Sequence, residues 1–446
     1  MHPHARLVLS LVSACLLHGA RAQDVARMDQ VVQSFATPGQ FMGSVLVARG
    51  DEILLNRGYG SANLEWNIAN TPATRFRIAS VTKQFTAAAI LLLEERGKLK
   101  LEDPVGKYLA DAPAAWEKIT LFHLLTHTSG IGDLADFPEL AVYKTAHNTP
   151  GDMVAKFRDK PLRFAPGTNY RYSNLGYILL GHLLERISGE SWAAFVRANF
   201  FLPLGMKDTG CDANAEIIPQ RAAGYSRGPN GPRNAPFIDM SAPFTAGDLY
   251  STTEDLLKWE RGLFGGRVLS AGSLRWMTTP YKAGYGLGVG IATRYGRTLV
   301  SHEGSIEGFN TYLGYFPDQA VTVVVLGNLN GPAPAAIGSY LGALALHEQV
   351  RLPSERTELV VSPADLRPYT GTYVMENEER NEVTLDGAYL SAQIAGRPKF
   401  RLLPESADRF FARDLDRQYE FVRDAQGAIT TMIVRQAGAV LPARRL

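Results

Sequence analysis

The sequence predicts an α+β protein: a sheet built from both ends of a large first domain, a helical region inserted into it, and a small all-β barrel at the C-terminus. Three observations carry this expectation. Apolar runs of strand type occupy 43–56 and return only at 286–326, while the stretch between is mainly helical with long loops. That order, strands then helices then strands, requires one mixed sheet to be completed by distant parts of the chain. From about Leu366 onward short strands recur at regular spacing, with turn residues between them, the pattern of an antiparallel barrel or sandwich. The 446 residues, 46% hydrophobic and 20% charged, suffice for two or three domains. A net charge of +2 with no basic stripe among aromatics gives no argument for nucleic acid, so the expected partner is a small molecule or short peptide.

The first 22 residues read as a processing signal. Met1 to Arg6 is a short basic start, Leu7 to Leu17 is an apolar run too short to span a bilayer, and Ala20-Arg21-Ala22 fits small-x-small cleavage. Gln23 then begins the mature chain, and a periplasmic or secreted location is expected. A second reading stands beside it. Val12-Ser13-Ala14-Cys15 resembles a bacterial lipoprotein box, and membrane contact is expected only if Cys15 carries such an anchor. Cleavage at Ala22 leaves Cys211 as the one cysteine, so burial rather than a disulfide must hold the fold together.

Ser44–Ala48 and Ile53–Leu55 read as a hairpin about Arg49-Gly50-Asp51. Thr74-Arg75-Phe76-Arg77 leads into a helix that starts near Ser80 and stops at Gly97. A helix containing His123 and His127 is expected to end at Ser129-Gly130. These two histidines stand at i and i+4, the spacing of a helical metal pair. No acid sits between them in the required place and no Cys, His or Asp cluster completes a site, so neither a metal nor a cofactor is expected. Phe164-Ala165-Pro166-Gly167 is a turn that hands over to a helix at Leu175–Ser188, and a further helix spans Leu256–Leu263. Strands return at Gly286–Ala292, Arg297–His302, Thr311–Phe316 and Ala320–Leu326, followed by an alanine-rich helix within Pro332–Gln349. Residues 23–350 thus make the first domain, 351–365 a polar linker, and 366–446 the barrel.

Candidate chemistry sits in three short stretches. Ser80-Val81-Thr82-Lys83 puts a serine and a lysine one helical turn apart on one face. A serine hydroxyl needs a neighbouring base, and lysine serves only if burial or nearby cations pull its pKa well below about 10.4. The free N–H groups and positive end of the helix favour a developing oxyanion. Tyr172-Ser173-Asn174 stands on a loop in front of a helix, where it either presents polar groups to a cleft or caps the helix. His302-Glu303-Gly304-Ser305 lies at the expected end of a strand, a place for charge, a hydrogen bond and close backbone approach.

Taken in order, Ser80-x-x-Lys83, Tyr172-x-Asn174 and His302-x-Gly304 closely resemble the class C β-lactamase and penicillin-binding-protein-like serine hydrolases, a group that includes D-aminopeptidases, D-Ala-D-Ala carboxypeptidases and esterases. No other Ser-x-x-Lys or Tyr-x-Asn occurs in the chain. Leu124-Leu125-Thr126-His127-Thr128-Ser129-Gly130 and Ala246-Gly247-Asp248-Leu249-Tyr250-Ser251 are also similar to family text, and the likeness covers about residues 25–350. The barrel more loosely resembles the lipocalin-like domains of some of these hydrolases. The resemblance implies a serine β-lactamase/transpeptidase-like fold and an acyl-enzyme on Ser80. Lys83 would be its partner base, and Tyr172 a proton acceptor and donor acting as a phenolate. Asn174 would hold Lys83 and bond the substrate, His302 would replace a lysine of many relatives, and the N–H groups of Ser80 and Ser305 would form the oxyanion hole.

One departure bears on substrate. Relatives that bind a carboxylate carry a hydroxyl where this chain has Glu303. If Glu303 faces the cleft it repels a carboxylate and attracts an ammonium, which favours an amino-terminal D-peptidase, amidase or esterase over a β-lactamase; strand alternation could instead turn it away. A reading of another class is a non-catalytic binder or sensor that keeps the cleft without turnover.

Overall fold

A central sheet contains six strands: β1 (Gly43–Arg49), β2 (Glu52–Tyr59), β3 (Gly290–Arg294), β4 (Arg297–Ile306), β5 (Phe309–Phe316) and β6 (Val321–Gly327), in spatial order β3-β4-β5-β6-β1-β2. β1 therefore pairs on one side with its hairpin partner β2 and on the other with β6, from the far end of the domain. Each of the pairings β4/β5, β5/β6, β6/β1 and β1/β2 is antiparallel. β6 is buried along its whole length and β1 along all but its last residue, as strands covered on both faces must be. The computed structural model describes residues 23–37, 39–376, 378–394, 398–412 and 417–446. The expected signal segment 1–22, with Cys15, lies outside the described residues.

The two faces of the sheet are covered by different parts of the chain. On one, the helix Ala333–Ala345 lies against β5 and β6; on the other lies the inserted helical region. The principal helices are α1 (Thr82–Glu95), α2 (Asn174–Ser188), α3 (Thr253–Phe264) and α4 (Ala333–Ala345). Alternation along β5 separates the faces. The Tyr315 ring meets Phe264 of α3 at 4.2 Å, and the Thr311 hydroxyl donates to the Ile78 carbonyl at 3.0 Å. Tyr312, one residue away, instead lies against Gly338 of α4.

Helix α1 is the hub. Eleven of its fourteen residues are buried, the mark of a helix enclosed on all sides rather than lying on a surface. Phe85 stacks on Trp259 with ring centroids 3.8 Å apart, and the Trp259 indole N–H donates to Gln84 at 3.1 Å. Each large apolar side chain buried here contributes roughly 1.5–3 kcal/mol. A short turn, Phe244–Ala246, wedges between α1 and α2. It fits because Gly181 of α2 has no side chain: a Cβ there would lie 2.2 Å from Thr245 Oγ1. The Thr245 hydroxyl donates to Tyr177 O at 2.8 Å, and the Thr86 hydroxyl to Thr245 O at 2.7 Å.

The chain divides into two compact units, the second made of 293–297 and 347–446. In it, eight strands between Gly371 and Arg445 form a closed antiparallel barrel, the last strand pairing with the first through Tyr373 and Arg445. Its own core is built around Tyr373, Leu390, Tyr419 and Met432. Closure leaves no edge strand to pair with another chain.

Several boundaries differ from expectation for local reasons. The strand expected at Gly286 begins at Gly290, because Gly284 and Gly288 turn the chain at positive φ. The strand expected to stop at His302 continues to Ile306, because the hairpin turns at Glu307-Gly308. His302 to Ser305 therefore lie within a paired strand rather than at its end. The helix through His123 ends at Leu125, four residues before the expected stop, and the region expected to hold helices and long loops includes a small hairpin, Tyr225–Gly228 with Gly231–Asn234.

Candidate active site

Ser80 does not sit in the first turn of α1 but on the 3-10 turn Ala79–Val81 that feeds it. Neither this turn nor α1 has a side chain capping its N-terminus, and within the turn the Val81 N–H donates to Ile78 O while the Thr82 N–H donates to Ala79 O and Ser80 O. Lys83 follows one turn later and is fully buried. Its Nζ is 3.0 Å from Ser80 Oγ, 2.8 Å from Asn174 Oδ1 and 2.7 Å from the Ala246 carbonyl. Burial pulls the Lys83 ammonium down to about 7, with Asp133 acting weakly in the opposite direction.

The three contacts accommodate the neutral amine that burial favours. Ala246 O can only accept. Asn174 Oδ1 is also an acceptor, because the amide's Nδ2 is committed to Asp133 Oδ2 at 3.0 Å. In the deprotonated form two N–H bonds satisfy these partners, and the lone pair is left facing the Ser80 hydroxyl. Asp133 also accepts the Asn174 backbone N–H at 3.1 Å, so it fixes the amide that orients Lys83. Ser173, not Asn174, caps α2: its hydroxyl accepts from Gly176 N at 3.1 Å and donates to Gly132 O at 2.7 Å. Of the two roles open to this loop, Ser173 takes the cap and frees its neighbours for the site.

Aromatic rings supply the desolvation. Lys83 Nζ lies 4.8 Å from the Tyr172 ring centre and 5.4 Å from that of Tyr177. The His127 ring packs 4.2 Å from Tyr172 and 4.7 Å from Tyr285. Burial pushes the Tyr172 hydroxyl well above its ordinary value, an effect its hydrogen bond to Ser80 only partly opposes. Burial thus favours the neutral phenol over the expected phenolate.

His302 is neutral as well. Burial, then the nearby Lys83, hold it down to about 3. Its Nδ1 lies 2.6 Å from the Glu303 carbonyl, which only accepts, so Nδ1 carries the proton and Nε2 receives the Tyr285 hydroxyl at 2.9 Å. Gly304 lets β4 press against the serine turn: a Cβ there would lie 2.3 Å from Ile78 O. Glu303 goes the other way. It pairs across the strands with Tyr312, on the α4 side, while Gly304 pairs with Thr311 on the Ser80 side. The premise that Glu303 faces the cleft therefore fails, through strand alternation.

His123 and His127 each commit Nδ1 locally, while His127 Nε2 is buried without a hydrogen-bond partner among the described residues. His123 Nδ1 accepts the Thr120 N–H at 3.2 Å in a capping box, and His127 Nδ1 accepts the Ser173 N–H at 3.0 Å. Cys211 is half-buried, and its thiol is pushed well above its usual range by burial and by Asp248, which leaves no reactive thiolate. Ser80, Asn174 and Ser305 line a cavity of about 460 Å³, with Leu134, Ile178 and Ile238 among its apolar walls. Sequence reasoning missed Asp133, Tyr285, the Ala246 carbonyl, and two further lining residues, Lys144 and Glu307. Only Ala246 had a signal, the Ala246–Ser251 stretch.

A serine and a desolvated lysine at the head of a buried helix, between an antiparallel sheet and a helical region, make a β-lactamase/transpeptidase-like fold of the serine hydrolase class. The chain belongs to the β-lactamase family, whose profile matches residues 28–347, and residues 356–441 match a domain of unknown function (DUF3471). Penicillin-binding protein 4* of Bacillus subtilis is 29% identical, over 86% of this chain and 90% of that one. The D-aminopeptidase of Gluconobacter oxydans is 28% identical, over 71% of this chain and 62% of its own. The octameric penicillin-binding protein homologue from Pyrococcus abyssi superposes with a TM-score of 0.68 at 26% identity, covering 94% of this chain and all of that one.

Proposed function

We propose that this protein is an exported serine hydrolase that forms an acyl-enzyme on Ser80 and cleaves amide or ester bonds of short D-amino-acid derivatives. The observation that carries this is the Lys83 amine, brought down to about 7 and held 3.0 Å from Ser80 Oγ by two obligate acceptors. Lys83 takes the Ser80 proton as the oxygen attacks the carbonyl carbon. The charge that develops on the carbonyl oxygen is received by the N–H groups of Ser80 and Ser305, each such donor contributing about 3 kcal/mol. The proton returns through Lys83 or the Tyr172 hydroxyl to the leaving amine or alcohol, and water then releases the acyl group by the reverse relay. A non-catalytic binder has no use for a lysine whose amine is brought down to about 7 beside a serine.

A cavity of about 460 Å³ suits a small molecule or the end of a short peptide. The preference for D-amino-acid amides rests on the likeness to the D-aminopeptidase and on His302. Being neutral, His302 offers no fixed cation to a β-lactam or C-terminal carboxylate. β-Lactamase or D-Ala-D-Ala carboxypeptidase action is the second reading, favoured by the penicillin-binding relatives.

A fluorophosphonate probe tests the central claim. It should label the native protein and leave Ser80→Ala unlabelled; a folded native protein that takes no Ser80-dependent label refutes the enzyme. Expressed with its first 22 residues in a bacterial host, the exported chain should have the mass of one starting at Gln23. A lipid-bearing Cys15 at the new terminus would replace that reading with a membrane-anchored one.

A further inference from the structure

The cavity holds a charged pair that the acylation chemistry does not use. Among the described residues lining it, Lys144 and Glu307 are the only charged ones, and Lys144 Nζ lies 3.2 Å from Glu307 Oε1. The two are mounted differently. Lys144 ends a long flexible side chain on the segment Pro138–Thr145, and 41% of that side chain is exposed. Glu307 is the first residue of a two-residue hairpin loop, since Ile306 pairs directly with Phe309. Only 22% of its side chain is exposed. The loop itself is clamped: Asn330 Nδ2 donates to Ile306 O at 2.9 Å and to Phe309 O at 3.3 Å, and Asn330 Oδ1 accepts the Gly308 N–H at 2.7 Å. Glu307 is thus mounted on a clamped turn two residues beyond Ser305, and Lys144 is its more exposed counter-ion.

That asymmetry decides which charge the cavity accepts. An incoming ammonium can take the place of Lys144 at Glu307, and the released lysine swings into water at little cost. An incoming carboxylate would have to draw Lys144 away and leave the more buried Glu307 unpaired, the costly arrangement. We propose that Glu307 is a specificity-determining residue that receives the free α-ammonium of the substrate, with Lys144 as its displaceable partner. The substrates this selects are amides, short peptides or esters of amino acids with an unblocked amino terminus. The inference rests on the hydrolase reading above, and it moves to Glu307 the ammonium recognition that the sequence suggested for Glu303.

The test is steady-state kinetics of the full chain on D-alanine p-nitroanilide, its N-acetylated counterpart and the neutral ester p-nitrophenyl acetate. The native protein should favour the free-ammonium anilide over the capped one by about tenfold or more in kcat/KM, the scale of one charge-assisted hydrogen bond. Glu307→Gln should remove that preference, chiefly through KM, whereas Lys144→Met should lower KM for the same substrate by freeing the carboxylate. Opposite shifts from two partners of one pair are not what loss of a structural contact produces. Ester turnover with equal cleavage of both anilides overturns the inference alone, as does a folded Glu307→Gln that keeps the preference. No turnover of any probe by the native protein overturns the hydrolase reading, and the inference with it. Should Glu307→Gln not fold, competition in the native protein decides. Inhibition of ester hydrolysis by D-alanine amide, but not by N-acetyl-D-alanine amide, supports the proposal, and equal or absent inhibition overturns it.

Discussion

Lys83 shows how a residue's chemistry is set by what surrounds it. In water its amine would be protonated until about pH 10.4; enclosed by Tyr172, Tyr177 and the buried body of α1, it releases its proton near 7. The groups that face it from other elements are Asp133 through Asn174, and His127 and His302, both of which burial keeps neutral at physiological pH. The base is the deprotonated form, so kcat/KM for a neutral ester should be low below pH 6, rise through about 7 and then level off. A profile flat from pH 5 to 9 would rule out Lys83 as the base. The same sign governs stability. Between about 7 and 10.4 the unfolded chain holds a proton that the folded one lacks, so this group adds stability as pH rises across that window. Lys83→Arg, which keeps its charge, should reduce turnover by about 10²–10⁴ while Ser80 remains in place. The Ser-x-x-Lys spacing made this pair visible; the charge on it belongs to the fold.

At the scale of elements, β4 is held against the serine turn at a distance only glycine allows. Gly304→Ala would place a methyl 2.3 Å from Ile78 O and 2.2 Å from Thr311 Oγ1. The Ile78 carbonyl cannot give way without moving Ser80. The substitution should therefore cost at least about 10² in kcat through misplacement of the serine and its oxyanion donors, with a fall in Tm measured in parallel. Unchanged kcat would mean that β4 does not help to set the position of Ser80. The strand also keeps the charge of Glu303 out of the cleft. Residue type suggested a charge in the cleft, but alternation by one position sends it to the α4 face, and only the register with Tyr312 reveals which face that is. The Tyr172–Asn174 loop was similarly ambiguous until Ser173 proved to be the cap.

On the scale of the whole molecule, two hydrophobic cores belong to two separate units, one around α1 and one inside the closed barrel. Multi-domain chains with separate cores depart from two-state unfolding. Calorimetry should therefore give a calorimetric enthalpy larger than the van't Hoff value, or two resolved transitions; a single two-state transition would mean that the units unfold as one. The class α+β, the first hairpin, the buried helix after Ser80 and the repeating strands near the C-terminus were legible in the sequence, because apolar periodicity and turn residues are local properties. So were Ser80, Lys83, Tyr172, Asn174 and His302, whose side-chain types and order are written in the chain. What only the tertiary structure decided was which of them carry charge, which way Glu303 points, and that Asp133, the Ala246 carbonyl, Lys144 and Glu307 share the cavity or its supports. Those facts depend on desolvation and on contacts between residues up to 163 positions apart, and no local pattern encodes either.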